Sequence, residues 1–324
     1  MSGLTWRPKE LVKGERPFNV IEAEPPRTDS RGHVVPGSVS FYVEEELDVA
    51  SFVAALNTSK PVRSRIFARG QLTQGGNVLL RTDQLEADSV VDLALIPPKD
   101  GLAISPTEVE VLYQDPFLLV AVKPAGVLVH SDGTGSAAAH DTLTARVAAR
   151  LRAQGSAAVP QALHRLDTDT SGIVLFSLTS EFQPVFDALV AGAELRKRYY
   201  AVVQGRFAAP EDSWRLVDAP IARDRHDARR MRVGTSGKEA QTRVRSLVSH
   251  GNRTLVEAEL VTGRRHQIRV HLARLGHPIV GDVLYGGTHS AKGLMLHAHE
   301  VSFAHPLTGE GLRFSCDPAW MQSW

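Results

Sequence analysis

Apolar and polar positions along the chain fall into blocks with different periods. Residues 1 to about 38 carry Pro8, Pro17, Pro25, Pro26 and Pro36 among scattered charges, with neither a helical nor an alternating pattern, and read as an N-terminal arm. From Ser40 the text changes. In ELDVASFVAAL, Leu47, Phe52 and Leu56 lie close to a helical stripe, and VRSRIFARGQL sets Arg63, Arg65 and Arg69 around Ile66 before Gly70 ends the run. NVLLRTD and SVVDLALIP then read as short strands. Residues 39–98 are therefore expected to form a small basic helix-and-strand module, with Pro97, Pro98, Gly101 and Pro106 marking the passage to a second unit over 107–324.

In the second unit, VEVLYQDPFLLVAVKPAGVLVH reads as a strand, an Asp115-Pro116 turn, a strand through Val120, a Pro124-Ala125-Gly126 turn and a further strand ending at His130. SDGTGSAAAH is expected to be a flexible loop. DTLTARVAARLRAQG predicts an amphipathic helix capped by Asp141, apolar at Leu143, Val147 and Leu151, and stopped at Gly155. Strands follow at 172–178, 199–204, 241–248 and 254–261, with a helical EFQPVFDALVAG between the first two and another helix over 266–275. The fold class this predicts is α+β around a mixed sheet.

Composition narrows the function little. Thirty-seven Lys plus Arg against 36 Asp plus Glu leave a net charge of +1, so a polyanion must be held by a local patch. One cysteine, Cys316, excludes an internal disulfide and a cysteine metal cluster and suits a reducing compartment. The start of the chain lacks the apolar core of a signal peptide, and no apolar run reaches a membrane span, so a cytoplasmic protein is expected.

Four segments carry chemistry. In ALHRLDTDTSGIVLFS, a polar turn at Thr170, Ser171 and Gly172 feeds an apolar strand, placing Asp167 at a sheet end; an Asp beside Arg165 reads equally well as a loop salt bridge. In LRKRYYAVVQG, adjacent Tyr199 and Tyr200 must point to opposite faces of a strand, so that one packs and the other can face a cleft. Arg223, Arg225, Arg229, Arg230, Arg232 and Lys238 crowd a glycine-containing loop, either a solvated charged loop or a polyanion patch. In TGRRHQIRVHLARLGHPIVGDVLYGG, Arg265 and Arg269 are expected on one helix face near its N-terminus, suited to a carboxylate or phosphate. His266, His271 and His277 lack a metal-site spacing, and no metal is expected.

Together HRLDTDTSG (164–172), KRYYAVVQG (197–205) and TGRRHQIRVHLARLGHPIVGD (262–282) resemble the three signature segments of the RluA-like RNA pseudouridine synthases, with LLVAVKPAGVLVH and GKEAQT as supporting pieces in the same order. The resemblance spans residues 107–320. It implies a pseudouridine synthase catalytic fold with a mixed, mostly antiparallel central sheet flanked by helices, and isomerisation of uridine in RNA without cofactor or metal. The RNA is expected to be ribosomal or transfer RNA, and nothing in the sequence demands more than a monomer. Asp167 matches the essential aspartate, Tyr199 the active-site tyrosine, and Arg269 the arginine paired with the aspartate. Arg165 matches the residue that fills the space of the extruded base, and Ile268 the aliphatic residue beside it. His164, Thr170, Lys123, Arg265 and Arg223 are placed among the substrate contacts. The arginine loop, with Arg63, Arg65 and Arg69 of the first module, is expected to meet RNA; that module resembles a worn S-four-like RNA-binding domain lacking a clear VNG. The family often has Thr at the position of Arg265. Whether Asp167 attacks the base, attacks the sugar or takes a proton stays open at this level. The alternative reading is a non-catalytic RNA-binding or ribosome-assembly factor that keeps the fold.

Overall fold

The computed structural model describes residues 17–98, 102–131, 133, 140–192, 194–207 and 213–324. Most of the SDGTGSAAAH loop and the first 16 residues of the expected arm lie outside them. The rest of the arm is not loose. Phe18–Glu24 (β1) pairs antiparallel with Gly37–Val43 (β2). The reason is a short alternation that the prolines obscure: Phe18, Val20 and Ala23 turn inward, and Pro25-Pro26 end the strand rather than abolish it.

Helices Val49–Ala55 (α1) and Lys60–Ala68 (α2) follow, then Leu72–Gln74 (β3), Asn77–Val78 (β4) and Ser89–Leu95 (β5). NVLLRTD thus contributes only a two-residue strand. The strand order is β1-β2-β5-β3-β4. Phe18, Phe41 and Phe52 pack as a trio with centroids 4.6–5.4 Å apart, and this cluster runs without a break into Phe117, Leu118, Val120 and Phe182 of the second unit. Gln71 donates to buried Glu181 at 3.3 Å, and Ala157 N–H donates to Pro26 C=O at 2.8 Å. The first module is docked on the second, not merely tethered to it.

The second unit is built on strands Glu110–Gln114 (β6), Leu118–Lys123 (β7), Ser171–Ser177 (β8), Arg196–Gln204 (β9) and Arg215–Asp218 (β10). Further along come Ile221–Arg223 (β11), Met231–Val233 (β12), Gln241–His250 (β13), Arg253–Leu260 (β14), Leu296–Ala304 (β15) and Gly311–Ser315 (β16). The main sheet runs β6-β7-β8-β15-β9-β14-β13-β10, with β16 on β15, and β11 with β12 forms a separate hairpin. Only β8 with β15 is parallel among the named strands. The sheet is therefore mixed and mostly antiparallel. No helix among the described residues is long and apolar enough to cross a membrane.

Strands β7 and β8 read as continuous apolar runs because both faces are covered. Leu118, Val120, Ile173 and Leu175 face the first module and helix Gln183–Ala191 (α4). Leu119, Ala121, Val174 and Phe176 face helices Leu143–Ala153 (α3) and Gln267–Arg274 (α5). Two local expectations are corrected. The cap of α3 is Thr142, whose hydroxyl accepts from Ala145 N–H, because Asp141 is occupied by Arg146 and Ser105. No strand follows Lys123; residues 124–130 turn around its ammonium group instead.

Gly172 is required where β8 meets β15. It sits at φ +120°, and a Cβ there would lie 2.3 Å from Ala298 O. Gly172→Ala is expected to cost at least about 1–3 kcal/mol in urea unfolding, since the clash is with backbone that cannot rotate away; an unchanged midpoint would show that the strands can part at no cost.

Candidate active site

The turn before β8 is held from below. Thr170 N–H donates to Asp167 C=O at 3.1 Å. Lys123 is fully buried and gives its three ammonium protons to the carbonyls of Pro124 (2.9 Å), Val127 (2.7 Å) and Thr168 (2.8 Å). Burial draws its pKa down to about 8, against the pull of Asp169 and Asp167. Lys123 thus positions the loop and has no proton left for a substrate, which corrects its expected role. His164 is corrected likewise: its Nε2 accepts from Leu175 N–H, and burial holds it down to about 3, a neutral packing imidazole.

On this turn the Asp167 carboxylate stays partly open, 24% exposed. Its oxygen lies 3.3 Å from Arg269 Nη1, brought from α5, 102 residues away in sequence. Arg165, the sequence neighbour, is exposed, and the loop-salt-bridge reading gives way to this long-range pair. Arg269 is itself clamped: Nε and Nη2 each donate at 2.8 Å to the two oxygens of Asp282, which is buried. A fork chelated on one side presents its remaining nitrogen in a fixed direction. Burial disfavours the charged Arg269, but Asp282 and then Asp167 outweigh it and raise its pKa.

Beside this pair, His266 takes the left-handed conformation (φ 57°) just before α5. Its Nε2 is 3.7 Å from Asp167 Oδ2, and its Nδ1 is 2.7 Å from the Tyr285 hydroxyl. The Tyr285 oxygen accepts from Met231 N–H at 2.8 Å, which leaves the phenol proton directed at Nδ1. Burial lowers the His266 pKa. The neutral ring then carries its proton on Nε2, facing Asp167. Nitrogen NMR is expected to show that tautomer at neutral pH and to lose it in Tyr285→Phe; an Nδ1–H form in the unmodified protein would contradict the assignment.

The remaining predicted residues divide. Tyr199 is buried in the same apolar cluster as Ile268, and burial together with the Asp167 charge pushes its phenol up, so it stays protonated. Tyr200 stacks on His299 at 3.7 Å. Thr170 is buried, and its hydroxyl has no protein partner among the described residues. Arg265 does not share a helix face with Arg269: it precedes the helix, is exposed, and donates to Arg229 C=O at 3.2 Å. Arg223, Arg225, Arg229 and Lys238 are exposed, with Arg229 chelated by Asp227. Arg230 lies over the Tyr285 ring at 5.5 Å, and Arg269 lies 5.1 Å from the centre of that ring. Tyr285 therefore fastens the β11–β12 hairpin, which carries Arg232, to the site. Arg63, Arg65 and Arg69 belong to α2 or its end, in the first module.

Sequence reasoning missed Asp282, Tyr285 and the role of His266. The available signal was GDVLYGG: an acid and a phenol directly after the arginine helix, where a buried guanidinium needs a second acceptor. The three histidines serve separate partners, His271 on Thr242 and Ala219 C=O, and His277 on Gln204 C=O.

A model of the RNA pseudouridylate synthase family matches residues 117–274, which include Asp167, Tyr199 and Arg269. An RNA pseudouridine synthase of Bacillus subtilis is 33% identical over 272 residues, covering 79% of this chain and 84% of the relative. The chain belongs to the RluA-like RNA pseudouridine synthases. A ribosomal large subunit pseudouridine synthase D of Zymomonas mobilis is 29% identical, with 83% of this chain and 88% of the relative covered. The solved structure of human RNA pseudouridylate synthase domain containing 1 shares the fold, with a TM-score of 0.54 at 23% identity over 68% of this chain and 89% of that one. The pseudouridine synthase family segment ends before Asp282 and Tyr285, so the clamp behind Arg269 lies outside it.

Proposed function

We propose that this synthase isomerises specific uridines in ribosomal or transfer RNA, as a monomer in the cytoplasm, by lifting the base from its stack and presenting it to Asp167. The observation that carries this reading is the Asp167 carboxylate, partly open and held 3.3 Å from a clamped Arg269. In a folded RNA the C1′ and C5 atoms of a uridine are shielded, so flipping is needed at a cost of a few kcal/mol. The N1–C1′ bond breaks, the ring turns, a C5–C1′ bond forms, N1 takes up a proton and the C5 proton leaves to water. Asp167 is the group that acts on the nucleoside, protonated Tyr199 packs beside the base with Ile268, and Arg269 holds the carboxylate. Arg165 enters the space the base vacates, and the exposed arginines of the β11–β12 hairpin meet the phosphates.

Incubation with RNA tritiated at uridine C5 is expected to release tritium to water. Mapping pseudouridines in cells with and without the gene is expected to identify the position modified. RNA binding with no release from any cellular RNA fraction would leave a non-catalytic RNA-binding factor in place of an isomerase.

A further inference from the structure

Among the described residues three non-glycines have a positive φ: Asn57 at 56°, Asp88 at 59° and His266 at 57°. Asn and Asp enter this region because a short polar side chain bonds locally. An imidazole stays there only where its surroundings fix it. Around His266 they do. The buried side chain of its neighbour Gln267 accepts from the Thr262 hydroxyl at 2.8 Å and from Arg264 N–H at 3.0 Å, and donates to Gln241 C=O and the Thr242 hydroxyl, both at 2.9 Å. The His266 carbonyl accepts from Val270 N–H at 2.9 Å, the first turn of α5. Loop and helix are thus joined at one residue whose ring has little choice of direction.

That ring, 8% exposed, stands between a phenol and the reactive carboxylate. Its Nδ1 is 2.7 Å from the Tyr285 hydroxyl, and its Nε2 is 3.7 Å from Asp167 Oδ2, the same oxygen that Arg269 Nη1 meets at 3.3 Å. Two donors directed at Oδ2 leave Oδ1 as the oxygen for the nucleoside. They differ in charge. Arg269 is a permanent cation, whereas the imidazole is neutral while Nδ1 accepts from Tyr285. A second cation on Oδ2 would withdraw the electron density that Asp167 must supply, so a neutral donor orients the carboxylate at the least loss of reactivity. At 3.7 Å the contact is longer than a hydrogen bond, as catalytic contacts commonly are before the substrate is engaged.

We infer that His266 is a positioning residue for the isomerisation, its Nε2–H acting with Arg269 to fix Asp167 Oδ2 and turn Oδ1 toward the nucleoside. The inference deepens the isomerase reading and rests on it. It carries a pH dependence. Burial disfavours the imidazolium most, Arg269 and Arg265 add to that, and Asp167 and Asp282 oppose it, so the ring gains its second proton below the ordinary histidine value. Arg230 lies over the ring of Tyr285. Once charged, His266 pairs with Asp167 as a cation and the carboxylate loses reactivity.

The test uses the full chain, with single-turnover tritium release from uridine-labelled RNA measured across a pH series. His266→Asn suits the positive φ but leaves its amide short of Asp167; His266→Gln places an amide nitrogen near the position of Nε2. His266→Asn is expected to lower the rate roughly 10- to 100-fold at unchanged RNA affinity, as misplacement of a reacting group does, and His266→Gln to recover most of it. The unmodified protein is expected to lose activity in acid below about pH 6.5, and His266→Gln to lack that limb. Equal losses in the two variants, with the acid limb kept in His266→Gln, overturn the inference and leave the ring a packing group. A measurement free of activity is the titration of His266 by nitrogen NMR. Asp167→Asn removes a charge that favours the imidazolium and is expected to lower the His266 pKa further; an unchanged value overturns the contact. Absence of tritium release by the unmodified protein, with Asp167→Asn still moving that pKa, overturns the isomerase reading and leaves the His266–Asp167 contact standing.

Discussion

Asp167→Asn is expected to abolish tritium release, by roughly 10⁴-fold or more, while the protein remains folded and binds RNA. The amide keeps the shape of the carboxylate and one oxygen for Arg269, and Arg269 keeps both hydrogen bonds to Asp282. What disappears is the negative charge and the lone-pair basicity that any of the three chemical routes requires. Structural damage should therefore be small against the catalytic loss. Single-turnover release measured beside urea unfolding separates the two, and release at the unmodified rate would remove Asp167 from the chemistry.

The second large effect belongs to a residue that does not touch the substrate. Asp282→Ala leaves the Arg269 guanidinium buried with Asp167 as its one acidic contact, at 3.3 Å. Removing one partner of a buried ion pair costs about 3–5 kcal/mol, because the other charge stays in place without compensation. Urea unfolding should show that loss. Tritium release should also fall, since the freed guanidinium no longer points one nitrogen at Asp167. Asp282→Asn, which keeps one acceptor, should lie between. A variant as stable as the parent would mean that water reaches Arg269 and that the clamp is unimportant.

Much of this arrangement was legible in one dimension. The apolar runs of β8, β9, β13 and β14 and the helical stripe of α3 are local patterns of the sequence, and the helix over 266–275 was placed within a residue at each end. The failures share a cause. Proline density hid β1, although an edge strand tolerates proline at its end. Lys123 and His164 were placed among the substrate contacts from the motifs in which they stand. The third carbonyl that uses up the lysine, that of Thr168, and the Leu175 N–H that engages His164 come from chain segments not adjacent to them in sequence. Arg265 was placed on a helix face by spacing, and the left-handed turn at His266 moved it off.

The linear order of residues by itself determined several helices and central strands, and the family to which Asp167, Tyr199 and Arg269 point, because period and local signature act over a few residues. Only the tertiary structure decided which charges meet. Arg269 finds Asp282 and Asp167, Tyr285 ties the arginine hairpin to His266, and the first module shares its core with the catalytic sheet. Electrostatic and packing energies depend on distance in space and on exclusion of water, and neither is a function of separation along the chain.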